Sequence, residues 1–152
     1  MGNRAVITTS RSKAVAYSGD IGVYLHWNGG RDSVEAFLTY CKLRGFRSPD
    51  KDSYGWARLC QVIGNFFGGD LSVGIDRCDK LDCDNHDNGV YIIEDWKIVG
   101  RQYFPYHPEQ NEYPLEDLVV YIDERQPKED RLGELIIRSR IKGLQEGGES
   151  NA

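Results

Sequence analysis

The densest group of side chains able to do chemistry lies in the run DRCDKLDCDNHDNG, where Cys78, Cys83 and His86 follow a C-x4-C-x2-H spacing among Asp79, Asp82, Asp84 and Asp87. Zinc takes thiolate and imidazole ligands in a tetrahedron, and structural sites bring them as two close pairs. A second pair is absent here. A calcium loop also fails: counting from Asp84, His86 stands where a third-position Asp or Asn is needed, and Asp95 rather than Glu closes the loop. The run therefore reads as a solvated acidic loop rather than a metal site. His26, His86 and His107 are the only histidines, and none sits in a recognisable triad. His26 lies in a strand beside Trp27, as a partly buried core edge or, less simply, as a general base. No phosphate-cradling G-x-x-x-x-G-K-[ST] loop is present; GNFFGG, Gly64 to Gly69, is a helix stop. A phosphodiesterase or an NTPase is poorly supported.

Aromatic and arginine residues are more suggestive. Tyr91, Trp96, Tyr103, Phe104 and Tyr106 cluster in or after one hairpin, with Lys97 and Arg101 beside them. A base stacks on an aromatic face, and arginine grips phosphate with a two-pronged fork. Such a set can line a nucleotide pocket; the plainer alternative is that half of it packs the sheet.

The elements that must position these residues are legible from periodicity. Ala5 to Thr9 and the alternating Ile21 to Trp27 predict two strands, the second ending at Asn28-Gly29-Gly30. Asp32 or Ser33 can cap a helix that runs to Arg44 and stops at Gly45. A connector with Pro49 leads to a second helix over Ser53 to Phe67, striped by Trp56, Leu59, Cys60, Ile63, Phe66 and Phe67 and stopped by Gly68-Gly69. Leu71, Val73 and Ile75 alternate as a strand, and Val90 to Glu94 with Lys97 to Phe104 predict an antiparallel hairpin across Asp95-Trp96. Leu115 to Glu124 predicts a short helix entered through Pro114, and Lys128 to Lys142 a charged one. Strands joined through hairpins, with helices inserted as a block, predict an α+β fold with a small antiparallel sheet. We divide the chain into a ligand-binding core over residues 1–126, a C-terminal oligomerisation helix over 127–143 and a flexible tail over 144–152.

At 152 residues and 17.3 kDa the chain is long enough to bury a sizeable core without staples. Its net charge of −5 and pI near 5.2 argue against broad binding to DNA or RNA, while leaving room for a local basic pocket. No apolar run approaches the ~20 residues of a membrane helix. The N-terminus lacks an apolar signal core, and Val6 breaks the myristoylation pattern, so the expectation is a cytoplasmic protein with reduced cysteines.

The run YLHWNGGRDSVEAFLTYCKLRGFRSP, followed by YGWARLCQVIGNFFGG and LSVGID, resembles the Thoeris anti-defence protein 1 family of phages and prophages. The opening NRAVITT and the hairpin NGVYIIEDWKIVGRQYF fit it too, so the likeness covers about Asn3 to Leu135. The resemblance implies a sponge, active in the infected host's cytoplasm. It would bind glycocyclic ADP-ribose, the signal of Thoeris immunity, without cleaving it and without a cofactor or metal. It also implies a homodimer through the C-terminal helices or a homohexamer, the latter with separate pockets for the cyclic trinucleotides of CBASS immunity. On that basis Tyr91 is expected to stack on adenine, Arg58, Arg101 and Arg125 to meet the two phosphates, and Trp27 and Asn28 to line a ribose. The competing classes are an enzyme that cleaves such a signal, and a protein–protein inhibitor using the acidic loop from Asp76 to Asn88.

Overall fold

The computed structural model describes residues 2–70, 72–103 and 108–150. Leu71, Phe104, Tyr106 and His107, named above, lie outside the described residues. The fold is α+β: a five-stranded, mostly antiparallel sheet carries four α-helices. The strands are β1 (Ala5–Thr8), β2 (Ile21–Leu25), β3 (Val73–Arg77), β4 (Val90–Glu94) and β5 (Lys97–Gln102). The helices are α1 (Arg31–Leu43), α2 (Ser53–Phe67), α3 (Leu115–Glu124) and α4 (Glu134–Ser150).

The sheet runs β3-β2-β1-β4-β5. The sheet is antiparallel as expected except where β1 and β4 pair in parallel. The whole segment between them forms the long crossover that parallel strands need. Side-chain alternation then splits the core in two. Ala5, Ile7, Val23, Leu25, Tyr91 and Ile93 face the helices. Val6, Val90 and Ile92 face the other way, where Val15, Cys78 and Cys83 cover them. The cysteine-bearing loop is thus partly core, not wholly solvated. Asn85 organises it: Oδ1 accepts the N–H groups of Asp87, Asn88 and Gly89, while Nδ2 donates to the carbonyls of Asp82, Cys83 and Gly89. Arg4 neutralises part of its charge through Asp82 and Asp87. Burial pushes both thiols up, Cys83 to about 11.

Local signals explain most boundaries. Asp52 caps α2 by accepting Tyr54 N–H at 2.9 Å. Gly30, not Asp32 or Ser33, is the N-cap of α1. Asp32 instead turns outward and accepts the N–H groups of Glu112 and Tyr113, tying a strap over the helix start. Gly45, at φ 77°, ends α1 in a Schellman turn, with Gly45 N–H bonded to Lys42 and Phe46 N–H to Cys41.

The C-terminal region departs most from expectation. Lys128–Asp130 is a 3-10 turn, and α4 begins only at Glu134 and continues to Ser150, through most of the expected tail. The break has a cause in buried Asp123, whose carboxylate accepts Leu132 N–H and Gly133 N–H at 2.9 Å each and stops the backbone from winding straight on. Gly133, at φ 93°, supplies the left-handed residue this turn requires. Ile137 and Ile141 of α4 are fully buried against the core, while Leu135 is 87% exposed.

Candidate functional site

The structure does not bring the six sequence-named residues together. Tyr91 is fully buried, and its hydroxyl donates to Gly29 carbonyl at 2.7 Å. The Arg101 guanidinium already covers its ring, 3.9 Å from the centroid. The Arg101 side chain is itself only 8% exposed and bonds to Glu109 and to the carbonyls of Asn88 and Val90. This corrects both expectations: Tyr91 has no face open to an adenine, and Arg101 holds the sheet to the strap. Arg125 donates to Phe66 carbonyl at 3.1 Å and lies over Phe66 and Tyr121. Trp27 and Asn28 line one cleft, and Arg58 lines another with which it shares no residue.

The Arg58 cleft is the one with anion chemistry. The Schellman end of α1 swings Phe46 back under Arg44, and Trp96 Nε1–H holds Phe46 carbonyl at 2.7 Å. α2 then brings Arg58 to the same ring. Arg44 Cζ is 5.2 Å and Arg58 Cζ 5.7 Å from the Phe46 centroid. Two adjoining cavities of about 240 and 450 Å³ open here and share Phe46 and Arg58. Gln61, Asn65 and Gln126 add amides, and Tyr54 a second exposed ring.

The charge around this cleft is unusual for an acidic protein. Among the described residues, Arg44 and Arg58 form no ion pair with a carboxylate, although most other arginines do. Asp130 lines the far side without reaching either guanidinium. Arg47, which lines the larger cavity, is paired with Asp52, while Arg131 and Arg140, which line neither cavity, donate to the carbonyls of Gln126 and Leu43. Two like charges held near one ring repel, and a bound anion relieves that repulsion.

Arg44 is also wired to the interior. Its Nη1 donates to Tyr40 Oη at 3.1 Å, and Tyr40 O–H donates to Asp123 at 2.7 Å. Burial, reinforced by this bond to Asp123, pushes the Tyr40 phenol well above its ordinary value. The carboxylate that starts α4 thus also steadies the floor of the cationic cleft.

The second cleft, between Trp27 and Tyr113, has the opposite sign. Asp32 and Glu112 line it, and among the described residues no Lys or Arg does. It adjoins an apolar cavity beneath Tyr113, Tyr121 and Phe66.

No family model, characterised protein or solved structure matches this chain. Function is therefore argued from the clefts themselves. Sequence reasoning found Arg58 but missed Arg44 and Phe46. The available signal was the run Arg44-Gly45-Phe46-Arg47 at the stop of α1, where a glycine turn projects two arginines and a ring together. Among the described residues, no cluster of His, Cys, Asp and Glu has the arrangement to hold a metal ion, and no helix is long and apolar enough to cross a membrane.

Proposed function

We propose that this protein is a non-catalytic sponge that holds a small phosphate-bearing nucleotide in the cleft between Arg44 and Arg58. One observation carries the reading: two guanidiniums without carboxylate partners among the described residues approach one aromatic ring, Arg44 lining a cavity of about 240 Å³ and Arg58 both that one and the adjoining cavity of about 450 Å³. Guanidiniums suit the two phosphates, and the Phe46 and Tyr54 rings suit a base. Taken with the sequence resemblance, the ligand is a cyclic ADP-ribose isomer, glycocyclic ADP-ribose, and the setting is the cytoplasm of an infected bacterium. The exposed Leu135, Ile136 and Leu144 of α4 support self-association, which light scattering on the ligand-free protein would measure.

The direct test is to incubate the purified protein with glycocyclic ADP-ribose, remove unbound ligand, release the rest by heat and weigh it by mass spectrometry. Intact ligand in near-stoichiometric amount is expected. Cleaved product would replace the sponge by an enzyme. No recovered ligand would defeat this choice of nucleotide, and the same assay with cyclic trinucleotides would follow.

A further inference from the structure

We propose that the cleft between Trp27 and Tyr113 is a second binding site, one for a quaternary ammonium headgroup. Two independent features point to a cation. The first is the rings: Trp27 is 42% exposed and Tyr113 62% exposed, and both border a cavity of about 240 Å³. An exposed aromatic face attracts a cation through its quadrupole, with tryptophan the best of the rings. The neighbouring Tyr121 and Phe66 rings already carry the protein's own cation, with Arg125 Cζ 5.9 and 5.8 Å from their centroids. At the Trp27 end no such side chain is supplied by the described residues.

The second feature is charge. Asp32 and Glu112 line the cavity, and among the described residues no Lys or Arg does. Glu112 forms no ion pair among the described residues. Both Asp32 oxygens accept backbone N–H groups, from Ser33 on one side and from Glu112 and Tyr113 on the other.

These same bonds narrow the class of cation. Gln110 Oε1 accepts from Asn3, and Asn3 Oδ1 accepts from Asn88. The oxygens of Asp32, Gln110 and Asn3 are thus committed, while among the described residues the Glu112 carboxylate and Asn28 Oδ1 are not. A primary amine or guanidinium must replace each of its water hydrogen bonds on entering. An alkylated ammonium has none to replace; it gains from ring faces and net charge alone. Trp27 is held for the task, since His26 stands edge-on against it at 4.9 Å and is itself hydrogen-bonded to Tyr24 at 2.9 Å.

The test compares choline with 3,3-dimethyl-1-butanol, its neutral isostere, by following the Trp27 indole N–H resonance of the ¹⁵N-labelled full chain. Choline is expected to shift it saturably, with at least ten-fold weaker response to the neutral alcohol. Trp27→Leu and Tyr113→Leu, both at exposed positions, should each weaken choline binding at least ten-fold, the former followed through backbone amides around Asn28. The Trp96 indole resonance serves as the control for folding. Glu112→Gln should weaken it about three-fold. Equal response to both probes, no saturable shift, or undiminished binding in the folded Tyr113→Leu variant would each overturn the proposal. Co-sedimentation with phosphatidylcholine vesicles distinguishes the source: pelleting with them identifies a lipid headgroup, and binding of choline alone identifies a free solute. Because the Arg44–Arg58 cleft shares no residue with this one, neither result bears on nucleotide binding.

Discussion

The two clefts are built from the same materials, aromatic rings and charged side chains, and differ in which sign is left over. Around Phe46, two guanidiniums approach one ring and no carboxylate answers them. Between Trp27 and Tyr113, carboxylates stand beside open rings and no Lys or Arg among the described residues lines the cleft with them. The contrast shows how an acidic chain can present a local anion site. It does so by leaving Arg44 and Arg58, like Arg125, Arg131 and Arg140, without a carboxylate partner among the described residues, while Arg4, Arg31, Arg77, Arg101 and Arg138 are neutralised by Asp or Glu. Net charge says little about such a site, because screening makes ligand recognition a matter of the few charges within about a Debye length.

The largest effect should come from emptying the cationic cleft. A charge-assisted bond to phosphate contributes roughly 1.5–3 kcal/mol, so the double variant Arg44→Ala/Arg58→Ala should lose about two to four orders of magnitude in affinity for the nucleotide. Calorimetric titration would measure this, with Trp27→Leu as the matched control from the other cleft. If the control weakens nucleotide binding as much as the double variant does, the two clefts are one site and the division between them collapses.

Next in size is a test of the scaffold. Asp123→Ala leaves Tyr40 O–H, Leu132 N–H and Gly133 N–H without their shared acceptor. Buried donors left unsatisfied cost about 1–3 kcal/mol each, so a loss of about 3 kcal/mol or more in urea denaturation is expected. The variant should also weaken nucleotide binding through Arg44 while sparing the Trp27 cleft. Equal loss at both clefts would mean global loosening, not a specific prop.

The smallest effect sharpens the comparison through pH. Burial raises the folded-state pKa of Cys83 from an ordinary value near 9 to about 11, and raises that of Cys78 as well. A raised thiol favours the protonated form in the folded state. The associated stability is therefore full below the unfolded thiol's pKa and is lost as pH rises through about 11. Denaturation midpoints should fall over that window, and Cys83→Ala should flatten the fall. Neither thiol lines the Arg44–Arg58 cleft, so nucleotide affinity there should hold level until unfolding begins. A parallel decline of affinity and stability would tie the cleft to a titrating group absent from its walls.

Much of the architecture was decided by short-range chemistry and was readable as such. The Ser53–Phe67 helix has its Asp52 cap, its apolar stripe and its glycine stop all within the segment. Leu115–Glu124 and the Val90–Glu94 strand likewise carry their own periodicity, and Asp95 and Trp96 adopt the positive φ of a tight hairpin turn. Gly45 announces the end of α1 because a left-handed residue is needed there.

What tertiary structure alone decided are the meetings between distant residues. The parallel pairing of β1 with β4 depends on how helices pack over the crossover, which no local pattern records. Arg101 looked like a phosphate ligand by type; only packing showed its guanidinium spent on Tyr91, Glu109 and two carbonyls. Arg44 carried only the cue of its place beside the Gly45 stop and gained significance when α2 carried Arg58 to the same ring. Asp123 reads in sequence as one more helix charge, yet in the fold it is the buried acceptor that ends one helix turn, starts another and steadies Arg44 through Tyr40. Caps and stripes draw their energy from neighbours in the chain, so the sequence by itself determined the elements. The availability of a charged side chain depends on partners tens of residues away, so only the fold decided which charges remain for a ligand.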